Sequence, residues 1–433
     1  MELAAVDGLA ARGLALDVLD AVLRRRRPLD EALTEIEGLD ALESRDRGFV
    51  RVLAAGVLRR LRVCDAVLDL CLSNPAAPLD PRARAVLRLG AVQLLFLATP
   101  AHAAVDSSVR LAEQRGIGRL KGLINAVLRK VARDGARMLA GVDPIRLSLP
   151  DWLWDAWVAT YGEARARAII AAQLTEPSLD LTVKSDPALW AERLGGTVLP
   201  TGTVRLPTGH AITTLPGYDE GAWWVQDAAA ALPARLLGPV AGRTVADLCA
   251  APGGKTAQLA AAGASVTAVD RAGRRLARLR ENLERLGLAA TIVEADTATW
   301  DPGQMFDAVL LDAPCSATGT IRRHPDIAWS KTPADVAALA GAQDRLLAAA
   351  VRLTRPGGTL VYSVCSLEAA EAEQRLAPLF AAGQVERVPI RAEEIGGLVD
   401  LLSEAGDLRA TPADLADLGG LDGFFAARLR RLD

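Results

Sequence analysis

The chain has 433 residues, of which 51% are hydrophobic and 24% charged, with a formal net charge of −3; it can bury sizeable cores, so a largely disordered chain is excluded. At about 100–200 residues per domain the length predicts two to four domains. Five cysteines, an odd and sparse set, argue against a disulfide framework, and the acidic start Met1-Glu2-Leu3-Ala4-Ala5-Val6-Asp7 lacks the basic region of a secretory signal, so a cytoplasmic protein is expected.

Residues 1–140 hold 22 Lys/Arg against 17 Asp/Glu, whereas residues 141–433 hold 28 against 36. A basic N-terminal piece on an acidic chain permits nucleic-acid binding without requiring it. This piece is predicted to be helical throughout. Leu14, Val18 and Val22 follow a helical stripe, as do Leu53, Val57 and Leu61, then Val86, Leu89 and Leu94. Breaks fall at Arg27-Pro28, Asn74-Pro75, Pro78 to Pro81 and Thr99-Pro100. The most apolar stretch, Ala91 to Val105, contains Pro100 and His102 and is shorter than the ~20 residues a spanning helix needs. The run Arg24 to Arg27 reads as a solvated helix end.

Residues 141–238 carry six of the eight tryptophans: Trp152, Trp154, Trp157, Trp190, Trp223 and Trp224. Short apolar runs, Leu179 to Val183, Val204 to Leu206 and Ala211 to Thr214, alternate with Gly and Pro, which predicts a small α+β unit. The tryptophans could stack on unpaired bases, but core packing is the default reading.

From about Val240 the pattern becomes strand, turn, helix. Strands are predicted at Thr244–Leu248, Ser265–Val269, Thr291–Val293, Ala308–Leu311 and Thr359–Tyr362, with the tail Gly423 to Leu429 as a last strand at the sheet edge. Such alternation predicts a parallel sheet covered on both faces, with ligands beyond the carboxyl ends of its strands.

Cys249, Ala250, Ala251, Pro252, Gly253, Gly254 and Lys255 follow the first of these strands and open a helix. The paired glycines let a ligand approach the backbone, and the helix start offers free N–H groups. A phosphate-binding P-loop would need Gly at position 249, and no Gly-x-Gly-x-x-Gly is present. Asp270 ends the second strand, where it could accept from ribose hydroxyls, and Asp296 follows the third, where it could meet an adenine edge. A nucleoside ligand without a pyrophosphate cradle fits this set.

The fourth strand runs into Asp312-Ala313-Pro314-Cys315-Ser316 and the fifth into Tyr362-Ser363-Val364-Cys365-Ser366, so two thiols and a carboxylate stand at the sheet edge that holds the nucleoside site. Cys249 is read as a small buried hydrophobe. Without a Cys-x-x-Cys pair, and with His102, His210 and His324 scattered, no metal site is expected.

The segments Cys249 to Lys255, Asp312 to Ser316 and Tyr362 to Ser366 resemble the signature segments of the NOL/NOP/Sun family of RNA cytosine-carbon-5 methyltransferases. Arg45 to Val50 and Lys121 to Arg129 resemble a NusB-type RNA-binding domain, and with Arg322-Arg323-His324-Pro325-Asp326 the likeness is to a bacterial branch acting on 16S ribosomal RNA. The resemblance implies a multidomain chain: an all-α NusB-like RNA-binding domain over 1–140, a small α+β RNA-recognition domain over 141–238, and an α/β Rossmann-like class I methyltransferase domain over 239–433. It implies S-adenosylmethionine as cofactor, held by residues 249–255, Asp270, Asp296 and Asp312. It also implies 16S ribosomal RNA, free or in an early small-subunit particle, as partner, with no membrane and a monomeric state. Spacing leaves the order of the thiols open; the resemblance implies Cys365 as the attacking thiolate and Cys315 as the helper in release, with Asp312 on the base edge or cofactor. A cationic neighbour, Lys255 being one of only five lysines, and nearby helix starts would lower the thiol pKa. Arg322 and Arg323 suit phosphate contacts. Val364 stands where many relatives have Thr. A non-catalytic RNA-binding factor would explain the NusB-like third but not the paired thiols, and a transfer-RNA or DNA substrate is disfavoured by the whole-chain likeness.

Overall fold

The computed structural model describes residues 4–433, with side chains from Gly8 onward; Met1, Glu2 and Leu3, part of the acidic start read above, lie outside the described residues. The chain forms two compact units, Met1–Leu174 with Arg323–Lys331, and Thr175–Arg322 with Thr332–Asp433.

The first unit is helical. Helices Ala4–Arg25, Leu29–Glu35, Ser44–Arg59, Leu61–Asp69, Pro81–Leu95, Ala101–Gln114 and Lys121–Ala140 are followed by Pro144–Leu147, Asp151–Tyr161 and Glu163–Gln173. The sequence stripes face inward: Val18, Val22, Leu53, Val57, Leu61, Val86 and Leu89 share one core, and Leu14 and Leu94 pack at its margin. Prolines set the breaks. Asp80 accepts from the Arg82 amide at 2.9 Å while Pro81 fills the first helical position, where its missing N–H costs nothing. The apolar stretch from Ala91 to Val105 is divided between two helices around Pro100, and among the described residues no helix is long and apolar enough to cross a membrane. The basic run lies exposed, Arg24 and Arg25 each pairing with Asp20.

Two segments join this unit that the sequence groups elsewhere. The three helices from Pro144 to Gln173 are tied to the N-terminal bundle where Arg62 donates to the Leu149 carbonyl at 3.0 Å and Arg60 to that of Leu174. The segment Arg323–Lys331 also packs here: the Trp329 indole donates to the Leu58 carbonyl at 2.7 Å, and Asp326 accepts the free amide of Leu29 at 3.1 Å. That amide opens a helix behind Pro28, which has no capping side chain of its own, so the carboxylate comes from a residue 297 positions later.

The second unit holds two sheets. In the smaller, β1 (Leu179–Val183), β2 (Thr197–Val198), β3 (Val204–Leu206) and β4 (Trp223–Val225) are antiparallel in the order β2-β3-β1-β4. The run at 211–214 is a 3-10 turn, Ile212–Thr214, and not a strand: it is exposed, with no alternating buried face to pair. Trp190 and Trp223 pack with Leu181, Val204 and Leu206, so these tryptophans are core. Beneath them Asp180 and Arg205 form a bidentate pair at 2.6 and 2.7 Å.

The larger sheet comprises β5 (Thr244–Leu248), β6 (Ser265–Asp270), β7 (Thr291–Glu294), β8 (Phe306–Asp312), β9 (Thr354–Val364), β10 (Val385–Arg387), β11 (Leu408–Ala410) and β12 (Phe424–Arg431). Its order is β10-β12-β9-β8-β5-β6-β7, with β11 also on β12. β5 to β9 run parallel. Successive residues alternate between two cores: Ala308 and Leu310 face one side, Val309 and Leu311 the other. The tail corrects one expectation. β12 is antiparallel to β9 and has β10 and β11 on its far side, so it is internal to the sheet; its apolar run Phe424 to Ala427 is buried on both faces.

Arg322, expected on phosphate, is 2% exposed. Its guanidinium donates to Asp422 at 2.8 Å, to Asp227 at 2.5 Å and to the Gly419 carbonyl at 3.0 Å. With its fork occupied and desolvated it staples the tail to the end of the small sheet. Arg322→Leu leaves two buried carboxylates without their cation and is expected to reduce unfolding free energy by about 3–5 kcal/mol. The check is the urea midpoint, and an unchanged midpoint overturns the assignment.

Candidate active site: two thiols and a carboxylate at one sheet edge

Chain order reverses at β5, with β6 on one side and β8 on the other, which opens a crevice at the strand ends. Cys249 and Gly253 adopt φ of 61° and 103°, folding the turn so that the helix Gly254–Ala261 begins at the crevice. A side chain at Gly253 would lie 2.8 Å from Leu279, so this position needs glycine for space as well as for φ. The turn is tied to β6 where the Ala250 amide donates to the Val269 carbonyl at 3.0 Å and the Ala251 amide to Asp270 at 3.2 Å.

A cavity of about 170 Å³ opens here, lined by Cys249, Asp270, Asp296, Thr297 and Pro314 among others. Asp270 is 3% exposed and accepts two backbone amides, Ala251 and Ala272, through different oxygens; a carboxylate retains lone pairs beyond these for a ligand hydroxyl. Asp296 is exposed at the rim. Asp247, wholly buried at the end of β5, accepts the Thr256 hydroxyl at 2.5 Å through Oδ2, while its Oδ1 is without a partner among the described residues. Burial raises the Asp247 carboxyl to about 7 against the help of Thr256. Burial and then Asp270 push the Cys249 thiol up to about 12, so it is a neutral wall of the cavity. An orphaned acceptor, a glycine turn and strand-end acids together fit a nucleoside carrying a cationic or amino-bearing chain.

Asp312 ends β8, and Cys315 and Cys365 lie in the turns that follow β8 and β9. These strands are in register, Asp312 opposite Ser363, so the chains leave the sheet at one level and run three and two residues on to Cys315 and Cys365. The two sulfurs lie 3.5 Å apart. The turns are stitched together: the Gly319 amide donates to the Cys365 carbonyl at 3.1 Å, the Leu367 amide to Thr318 Oγ1 at 3.0 Å and the Gly423 amide to the Gly319 carbonyl at 2.8 Å. A Cβ at Gly319 would fall 2.1 Å from the Gly423 oxygen.

Asp312 accepts from Lys255 Nζ at 2.7 Å and from Ser363 Oγ at 2.9 Å. The Lys255 ammonium also lies 5.0 Å from the centre of the Phe424 ring. Lys255 is therefore at the site, but its charge goes to Asp312. The expected lowering of the thiol pKa does not hold for Cys315, which is raised well above the usual range, first by its hydrogen bond with Cys365 and then by burial. Arg322 is removed from the site by the staple described above, and Arg323 packs with the helical unit. Sequence reasoning missed Glu371, Gln343 and the serines Ser316 and Ser366; the one available signal was that each candidate cysteine is followed by Ser. Among the described residues no group of three or more His, Cys, Asp or Glu could hold a metal ion.

The family described as 16S rRNA methyltransferase RsmB/F matches residues 234–430, and the NusB family matches residues 9–133. The ribosomal RNA small subunit methyltransferase B of Pseudomonas putida is 38% identical, covering 98% of both chains. Among solved structures, PH0851 overlays with a TM-score of 0.74 at 22% identity over 97% of this chain and 98% of its own. A methyltransferase homolog protein from Pyrococcus horikoshii overlays with a TM-score of 0.56 at 29% identity, covering 66% of this chain and 97% of its own.

The raised Asp247 carboxyl carries a pH signature. Folded, it keeps its proton to about pH 7; unfolded, it loses it near 3.8. The folded state therefore binds the extra proton between those values, and stability from this group is full below the lower value and falls as pH rises through the window. Asp247→Asn is expected to flatten the decline by up to about 4 kcal/mol, measured as denaturation midpoints from pH 4 to 8. Parallel curves for variant and wild type would refute it.

Proposed function

Because the chain belongs to the RsmB/F family of 16S ribosomal RNA methyltransferases, enzymes that depend on S-adenosylmethionine, we propose that it methylates carbon 5 of a cytosine in 16S ribosomal RNA through a covalent adduct at Cys365. The observation that carries this reading is the 3.5 Å approach of Cys315 and Cys365 beside Asp312. Carbon 5 of cytosine is a weak nucleophile. Addition of the Cys365 thiolate to carbon 6 breaks the 5,6 double bond and makes carbon 5 enamine-like. Asp312, oriented by Lys255 and Ser363, hydrogen-bonds the base edge in this reading and favours that redistribution. S-adenosylmethionine, when bound by residues 249–255, Asp247, Asp270 and Asp296, supplies an electrophilic methyl group. The carbon-5 proton then leaves, and the electrons of that C–H bond restore the double bond as the sulfur–carbon bond breaks and Cys365 regains its thiolate.

Cys315 suits the release step. Its thiol is held up chiefly by Cys365, and bonding of that sulfur to carbon 6 removes the interaction. Cys315 thus becomes easier to deprotonate once the adduct exists, which is when a base is needed. A cytosine in a stacked helix cannot reach these turns, so the target is a flipped or looped base.

Cys365→Ala is expected to lower methyl transfer to unmodified 16S RNA by more than about 10³-fold. Cys315→Ala is expected to accumulate a protein–RNA adduct that survives denaturing electrophoresis. Wild-type turnover in Cys365→Ala, or methylation mapped to another atom, would sink the assignment.

A further inference from the structure

The strand register brings the two cysteine turns to one level but does not by itself fix two turn side chains in contact. A buried carboxylate lies where both turns meet. Glu371, wholly buried in the 3-10 turn Ala369–Glu371, accepts the Ser316 amide at 2.8 Å through Oε1 and the Ser366 hydroxyl at 2.6 Å through Oε2; the Ser316 hydroxyl donates to the same Oε2. Ser316 follows Cys315, Ser366 follows Cys365, and their hydroxyl oxygens are 3.1 Å apart. Gln343, also fully buried, closes the cradle by donating to the Pro314 carbonyl at 3.0 Å and to Oε1 at 3.4 Å. The Tyr362 hydroxyl fixes the turn itself, donating to the Glu371 carbonyl at 2.6 Å. A buried carboxylate is costly unless its acceptors are filled, and here two of its partners are the residues immediately following the thiols. Charge-assisted bonds of this kind are short and directional.

We propose that Glu371 is the positioning residue of the site, a single buried carboxylate that binds the serine after each cysteine and so holds the two thiols face to face. The proposal rests on the reading of Cys365 and Cys315 as the reacting groups, and its test is chosen so that the two can fail separately.

The test compares Glu371→Ala with Glu371→Gln in the full chain. Glutamine keeps the shape: its oxygen accepts the Ser316 amide, and its amide group donates to serine oxygens whose hydroxyls rotate to accept. Glu371→Ala is expected to lower kcat for methyl transfer by about 10²-fold, the scale of a reacting group misplaced by 1 Å. The KM for S-adenosylmethionine should change less than about threefold, because Asp270 and the glycine turn have no bond to Glu371. Glu371→Gln should return kcat to within about tenfold of wild type. Thiol geometry is read without catalysis by phenylarsine oxide, which forms two As–S bonds and releases one water. Wild type and Glu371→Gln should bind it, Cys315→Ala and Cys365→Ala should not, and Glu371→Ala should bind it at least about tenfold more weakly. Where Glu371→Ala does not fold, the double variant Ser316→Ala, Ser366→Ala carries the same expectation. Full kcat and arsenical affinity in Glu371→Ala overturn the proposal. So does a Glu371→Gln that loses kcat as completely as Glu371→Ala while both still capture the arsenical, since charge would then be the requirement. If carbon-5 methylation proved absent from the wild type, arsenical capture would still report whether Glu371 sets the thiol pair.

Discussion

The in-register parallel pairing of β8 with β9 is the constraint from which the site follows. Asp312 and Ser363 are cross-strand partners joined by a side-chain hydrogen bond at 2.9 Å, so the two chains leave the sheet at one level and the turns that carry the thiols, 3.5 Å apart, begin side by side. A shift of one residue would send Asp312 to the opposite face and part the turns, because side chains alternate along a strand. The antiparallel β12 bears on the same end of β9, where Phe425 lies opposite Val364. From there the tail contributes Phe424 over Lys255 and the glycine contact between Gly423 and Gly319. The tail strand therefore helps to frame the candidate site.

Electrostatics divide the site into groups with different tasks. Lys255 is committed to Asp312, which orients that carboxylate and turns this side chain away from the role of cationic neighbour to the thiols. The Cys315 thiol is raised well above its usual range by its partner sulfur, by burial and by Glu371. Cys249, which lines the cavity beside Asp270, is kept neutral by burial and by that carboxylate and takes no part in this pair.

Arg322 shows how residue type and position misdirect a linear reading. Arg322 and Arg323 are adjacent, basic and just beyond β8, which is the profile of a phosphate contact. In the fold they part company: Arg322 is enclosed by Asp227, Asp422 and the Gly419 carbonyl, while the segment from Arg323 to Lys331 joins the helices, held by Trp329 and Asp326. The acids that capture Arg322 lie 95 and 100 residues away in sequence, beyond the reach of any local pattern.

The amino-acid sequence was sufficient for most of the elements and for the residues that meet at the candidate site. Short apolar runs between turns locate β5 to β9, most of them buried on both faces, and period-3.6 apolar stripes locate the N-terminal helices, because burial is a local demand on consecutive residues. The glycine turn, the strand-end acids and the paired cysteines are legible for the same reason, each being a short motif with its own backbone requirement. Tertiary structure alone decided that β12 is internal, that residues 211–214 are not a strand, that Lys255 is spent on Asp312, and that Glu371 ties Ser316 to Ser366. Those outcomes depend on hydrogen bonds and ion pairs between residues far apart in the chain, which form only after the hydrophobic cores have brought them together.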